Sequence, residues 1–150
     1  VIRNIATGSL TKRLGIEEGM VLSKPLVEFF LKDDKLNDPL VSEEHIINFG
    51  WANTDEIDDI VSISLRINDF LCGYFLSSNI RLVDFKLEFG YDLRNNIILG
   101  DEISPDNCRL WDLNQKNDTI ISLDKDRFRN DLGGLIEAYS EINRRINDYL

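Results

Sequence analysis

Histidine, methionine and cysteine are almost absent from this chain of 150 residues, which has one, one and two of them respectively. A single histidine, His45, builds no ligand set and reads as a surface or satisfied helix residue. Cys72 and Cys108 have neither metal-ligand nor redox spacing, and two free thiols suit a reducing, cytoplasmic compartment. No apolar run reads as long enough for a membrane span, and no signal peptide opens the chain, so no membrane partner is expected. Positive charge is also short: 17 Lys and Arg against 27 Asp and Glu leave a net charge of −10. That balance repels polyanions, and no run of basic residues interleaved with aromatics offsets it. Nucleic acid is therefore not an expected partner. The chain opens on Val1, directly in apolar residues, which reads as a piece of a longer polypeptide.

What is present suits one globular domain. Hydrophobic residues make up 43% and charged residues 29%, enough for a real core under a solvated surface. Val1 to Ile5 reads as a strand. In "TGSLTKRLG", Ser9 is placed to cap a short helix that Gly15 stops. "PLVEFFLKDD" suggests a strand and "DDKLNDP" an exposed loop, while "SEEHIINFGW" suggests a short helix. The clearest helix follows Asn53 or Thr54 as cap. Ile57, Ile60, Val61, Ser64, Ile67, Leu71, Tyr74 and Phe75 form its apolar stripe at spacings of three and four. Two strands joined through "GYDLRNN" come next, then a loop, "SPDNCRLWD". One or two helices close the chain, with Phe128, Leu132, Leu135, Tyr139, Ile142 and Ile146 on one face and a break at Gly133-Gly134. Trp51 and Trp111 read as core or rim packing. Helices interspersed with antiparallel strands predict an α+β fold, with helices packed on an antiparallel or mixed sheet.

The stretch "LVDFKLEFG", Leu82 to Gly90, raises a chemical question. Val83, Phe85, Leu87 and Phe89 alternate with Asp84, Lys86 and Glu88, so one face of a strand is apolar and the other carries acid, base, acid. A hairpin turning at Arg94-Asn95 puts Glu88 opposite Asp101, with β-carbons roughly 5 Å apart. Two such carboxylates want a shared proton or a divalent cation, unless both simply point into water. A bulge at Gly100 shifts the register by one, so spacing alone leaves Asp101 and Glu102 both open. Lys86 between two acids is either a solvated ion pair or a cation for an anionic oxygen in phosphoryl transfer.

These residues resemble a known family. "LVDFKLEFG" resembles one signature of the SAICAR synthetases, and "RNIATGS", Arg3 to Ser9, the end of another. "GSLTKRLGIEEG", "FFLKDDKLNDP", "GDEISPD", "RLWD" and "DKDRFR" with "DLGGLIEAY" are similar to the family in the same order, so the resemblance covers essentially the whole chain. The hairpin tip is one residue longer than the family's.

The resemblance implies an ATP-dependent ligase. Its reaction joins the carboxylate of carboxyaminoimidazole ribonucleotide (CAIR) to the amine of L-aspartate, giving SAICAR, ADP and phosphate in purine biosynthesis, with ATP and Mg²⁺ required. It implies that residues 1–150 are the C-terminal lobe, resembling the second lobe of an ATP-grasp fold, with the N-terminal nucleotide-binding lobe outside the given chain. A fragment of this kind is expected to be inactive alone. The family's acids at the Mg²⁺ and nucleotide site match Glu88 and Asp101, and a nucleotide-side lysine matches Lys32. Asp84 and Lys86 match residues beside the ribonucleotide and the transferring phosphoryl group. Arg3, Ser9 and Arg109 match ribonucleotide contacts, with Lys125 and Arg129 as weaker candidates for anion contacts. Lys12 and Arg13 stay ambiguous. Each cation also has a plainer role: Lys32 as a solvated loop lysine, and Arg109 as a surface ion pair with Asp106 or Asp112. A non-catalytic Mg²⁺ or phosphate-binding module and another kinase-like phosphotransferase are the competing functions. Expected partners are small molecules (CAIR, L-aspartate and ATP), and a homo-oligomer is left open.

Overall fold

The computed structural model describes residues 1–114 and 120–148. In chain order its elements are strand β1 (Ile2–Ile5), helix α1 (Ser9–Leu14), strands β2 (Val21–Val27), β3 (Phe29–Phe30) and β4 (Leu40–Val41), then helices α2 (Glu43–Asn48) and α3 (Thr54–Ser77). Strands β5 (Ile80–Phe85), β6 (Glu88–Tyr91), β7 (Ile97–Gly100) and β8 (Cys108–Asp112) precede helices α4 (Asp126–Arg129) and α5 (Leu135–Asn147). The expected helix to residue 150 runs at its last two positions, 149 and 150, outside the described residues.

The α+β expectation holds, with every strand pairing antiparallel rather than mixed. Strands β2, β1, β5 and β8 make one four-stranded sheet in that order, while β3–β4 and β6–β7 form separate two-stranded ribbons. Pro25, which has no N–H to give a ladder, sits in β2 at the edge of the sheet. The core joins Ile80, Leu82, Phe85 and Leu110 of β5 and β8 to Leu71 and Phe75 of α3 and Ala138 and Ile142 of α5.

Helix α3 starts as its sequence dictates. Asn53 accepts from the Glu56 N–H while the Glu56 carboxylate accepts from the Asn53 N–H, so both ends of the capping box close. Its buried stripe is Ile57, Ser64, Asn68, Leu71 and Phe75. Asn68 was absent from the apolar prediction because it is polar; it accepts at 2.8 Å from Asn4 on β1, which satisfies it inside the core. By length and composition α3 is also apolar enough to cross a membrane, which the run-by-run reading of the sequence did not register. Its stripe faces the sheet, and Arg66 and Asp69 stand on its exposed side.

Five expectations fail for identifiable reasons. "PLVEFFLKDD" is not one strand: β2 ends at Val27 against β1, and Phe29–Phe30 pairs with β4 in a separate ribbon. Leu82 to Phe89 is not one strand: a register shift between Leu82 and Asp84 against β8 breaks the alternation. Leu82 and Phe85 therefore share the core, and Glu88 starts a different ribbon. "CRLWD" is not loop but β8, held by five partners on β5. Ser9 is the first helical residue rather than the cap; Gly8, at φ 59°, takes the cap position. Phe128 and Leu132 are exposed because Gly133 and Gly134, both at positive φ, turn α4 off the axis of α5.

Leu110 is completely buried at the centre of β8, so Leu110→Ala should lower the unfolding free energy by about 2–5 kcal/mol, read as a shift in the urea midpoint. Burial pushes the Cys108 thiol up to about 12 and raises that of Cys72 as well. At pH 8 the folded chain should leave Cys108 unalkylated by iodoacetamide, and urea should release it; reaction of the folded thiol at the rate of a free peptide cysteine would contradict this burial.

Candidate active site

Antiparallel register makes three charged residues immediate neighbours across the sheet. Arg3 on β1 pairs with Asp84 on β5, and Asp84 pairs in turn with Arg109 on β8. The side chains complete the row. Arg3 Nη1 donates to Asp84 Oδ2 at 2.7 Å, and Arg109 Nη1 donates to both Asp84 oxygens at 2.9 and 3.1 Å. Burial pushes the Asp84 carboxyl upward, and the guanidinium groups of Arg109 and Arg3 pull against it. Both oxygens accept from guanidinium N–H groups.

The row extends at both ends. Arg3 Nε donates to Glu28 at 2.7 Å, and Glu28 also pairs with Arg13 of α1. Arg109 Nε donates to Asp126 at 2.6 Å, and Asp126 takes a second bond from Arg129 at 2.7 Å. Arg13–Glu28–Arg3–Asp84–Arg109–Asp126–Arg129 is thus one alternating chain, four cations to three anions, a local excess of +1 on a molecule of −10. Ser9 joins it through its hydroxyl, which accepts from Arg3 Nη2 at 2.9 Å.

Beside the row are two hollows. One, of about 380 Å³, is lined by Arg3, Asp84, Arg109, Lys125, Arg129 and Asp101. The other, of about 590 Å³, combines apolar walls from Val27, Phe29, Phe30 and Phe89 with Lys32 and Glu88. Lys86 lines both. It sits where β5 ends, its N–H donating to Asn107 O at 2.9 Å, and its ammonium lies 3.3 Å from Glu88 and 4.0 Å from Asp38. Lys86 therefore does not pair with Asp84, contrary to a straight strand. Lys32 pairs with Glu88, and this hydrogen bond, helped by Lys86 and opposed by partial burial, holds the Glu88 carboxyl below its ordinary range.

The predicted apposition of Glu88 and Asp101 is corrected. In the ribbon Glu88 faces Gly100, one residue short of the expected register, and Asp101 follows at φ 62°. At the hairpin tip Asp92 accepts from the N–H groups of Arg94 and Asn96. Asp101 lines the smaller hollow and Glu88 the larger, yet both act on Lys32, whose ammonium they stabilise. Among the described residues no three His, Cys, Asp or Glu side chains come together as a metal cage. Lys125 lies 3.9 Å from Asp106. The plain alternative for Arg109 also fails: Asp112 pairs with Arg145 at 2.7 Å, and Arg109 takes Asp84 and Asp126.

Glu28 and Asp126 were missed by sequence reasoning. For Glu28 a signal existed: a lone acid inside "LVEFF" is costly to bury unless a cation meets it. Asp126 sits among charges in "DKDRFR" and carries no such mark.

Fold and site together define an α+β domain whose sheet holds a buried arginine–carboxylate row beside an open cleft. A model of the SAICAR synthetase family matches residues 1–146, and the chain belongs to that family. It is 58% identical over 150 residues to the phosphoribosylaminoimidazole-succinocarboxamide synthase of Prochlorococcus marinus subsp. pastoris, covering 100% of this chain and 62% of that protein. The crystal structure of the same-named synthase of Ehrlichia chaffeensis superposes with a TM-score of 0.90 at 46% identity, over 97% of this chain and 61% of that one. A SAICAR synthetase solved in complex with ADP gives 0.89 at 50% identity, over 97% and 60%. The chain thus spans about six-tenths of the length of these relatives.

Removing the central carboxylate leaves two guanidinium groups facing each other in a buried place. Asp84→Asn should cost about 3–5 kcal/mol in urea unfolding, whereas Asp101→Asn, at an exposed position, should stay within about 0.5 kcal/mol. Equal effects from the two variants would remove the row from its central place.

Proposed function

We propose that this chain is the substrate-holding part of an ATP-dependent ligase that joins the carboxylate of CAIR to the amine of L-aspartate, releasing SAICAR, ADP and phosphate. The observation that carries the reading is the buried Arg3–Asp84–Arg109 row opening into a hollow beside Lys86. A carboxylate resists amines because it is anionic and lacks a leaving group. Activation by a phosphoryl group crowds anions together, so fixed cations must face them.

Within this proposal Arg3 and Arg109, with Lys125 and Arg129 in the lining of the smaller hollow, hold the ribonucleotide, and Ser9, which lines the larger hollow, joins them through its bond to Arg3. Asp84 orients both arginines, and Lys86, lining both hollows, faces the group in transfer. Lys32 and the apolar walls of the larger hollow take the nucleotide, a reading supported by the relative solved with ADP. Glu88 and Asp101, which line different hollows and both act on Lys32, are the carboxylates that would hold Mg²⁺, singly or together, with phosphate oxygens and water completing its shell. Mg²⁺ bound there would neutralise phosphoryl charge. The domain assignment belongs to the same proposal: a second, ATP-grasp-like lobe, with an N-terminal nucleotide-binding lobe in the part of the relatives this chain does not span. A cytoplasmic enzyme, with small molecules and no nucleic acid or membrane as partners, completes it.

The test uses the full-length enzyme. ADP release should require both CAIR and L-aspartate, and hydrolysis indifferent to aspartate would assign a phosphotransferase or a mere phosphate-binding module instead. Glu88→Ala and Asp101→Ala should each lower Mg²⁺-dependent turnover on the order of 100-fold with little loss of fold. Full activity in both would refute the metal assignment.

A further inference from the structure

Arg109 is held on more sides than an anion contact needs. Its Nη1 is committed to Asp84 and its Nε to Asp126, while Nη2 has no partner among the described residues. The third constraint is steric. Gly8 lies so close that a Cβ there would meet Arg109 Nη2 at 2.7 Å, Cζ at 3.0 Å and Nη1 at 3.1 Å. These distances place that missing methyl out of the guanidinium plane, above its Nη1–Nη2 end. Glycine at φ 59° therefore lets the backbone of the "ATGS" loop close against one side of that end of the cation.

Asp126 is itself immobilised. Its two oxygens accept from Arg109 and Arg129, and its N–H donates at 2.8 Å to Asp124, which is 1% exposed. The other Asp124 oxygen accepts at 2.7 Å from the N–H of Leu110, the residue next to Arg109. The start of α4 is thereby tied to β8 at the point where Arg109 projects.

We infer that Gly8 and Asp126 are positioning residues for Arg109, fixing its plane so that the Nη2 edge is presented to an anionic oxygen of the substrate in the smaller hollow. Neither residue needs to touch substrate. The inference rests on the proposed ligase reading only for the identity of that substrate. A guanidinium already locked at two nitrogens and one face loses little freedom on binding, which is where the gain in affinity originates.

The experiment uses full-length enzyme with Gly8→Ala, Asp126→Asn and, as a remote control, Arg144→Ala, whose exposed pairs lie on α5. Both positioning variants should raise the KM for CAIR about tenfold to a hundredfold, with the KM for ATP changed less than about threefold; Arg144→Ala should change neither. In an Arg109→Ala background each should add less than about twofold, because the group they position is gone. Full additivity there would overturn the inference, and so would an unchanged KM in both single variants. Thermal unfolding identifies a Gly8→Ala protein that fails to fold, in which case Asp126→Asn decides. A second arm needs no substrate: the ¹⁵N resonance of Arg109 Nε–H, protected from exchange in the parent, should lose protection in both variants. No change in that signal would sink the inference whatever reaction the enzyme performs. Loss of protection in an enzyme that makes no SAICAR would retain the positioning roles and reject the ligase reading.

Discussion

The carboxylate of Asp84 is the interaction on which the arrangement depends. It is 3% exposed and lies between two guanidinium groups contributed by the strands on either side. Removing any one of the three leaves a buried charge uncompensated at a cost of about 3–5 kcal/mol, so each position depends on the others. Ion pairs of this kind add little net stability compared with an apolar core of the same volume. What they supply is geometry: three side chains with one mutually consistent arrangement, in a setting where water does not compete for their hydrogen bonds.

Register is the mechanism that brings the row together. Arg3, Asp84 and Arg109 are far apart in sequence, but antiparallel pairing of β1, β5 and β8 sets them side by side. The alternation of sign then continues off the sheet through Glu28 to α1 and through Asp126 to α4. A chain of seven groups that begins and ends on arginine concentrates positive potential locally. That concentration answers the difficulty posed by a net charge of −10: an anionic small molecule responds to the field inside the cleft, where low dielectric and nearby cations dominate, rather than to the sum over the surface.

Local signals in the sequence were legible where local physics decides the outcome. The helix cap at Asn53, the left-handed stop at Gly15 and the break at Gly133-Gly134 all stand where short-range chemistry puts them. The candidate cations and acids were legible as residues but not as partners. Strand periodicity put Lys86 between Asp84 and Glu88; the bulge after Leu82 and the end of β5 keep the Glu88 pairing, remove Asp84 and add Asp38. "CRLWD" was unreadable as a strand because it lacks alternation and β-branched residues, and its pairing with β5 is a tertiary fact. Asp126 escaped for the same reason, since only the fold shows which of several neighbouring charges turns inward.

Cation type divides the cleft in two. Arg3 and Arg109 are buried or nearly so and locked by bidentate or multiple bonds, while the side chains of Lys32 and Lys86 are 70% and 45% exposed. A guanidinium in a fixed fork suits a group that must stay still, whereas an ammonium on a flexible stem suits charge that moves. In the proposed ligase reaction the ribonucleotide is the stationary partner, and negative charge shifts between nucleotide and acceptor as the phosphoryl group transfers. The rigid cations line the hollow proposed for the former. Lys86, which borders both hollows just past the end of β5, stands where charge in transit would have to be followed. The break in that strand, a defect when judged by alternation alone, is what sets Lys86 apart from the row while the arginines of the row stay fixed.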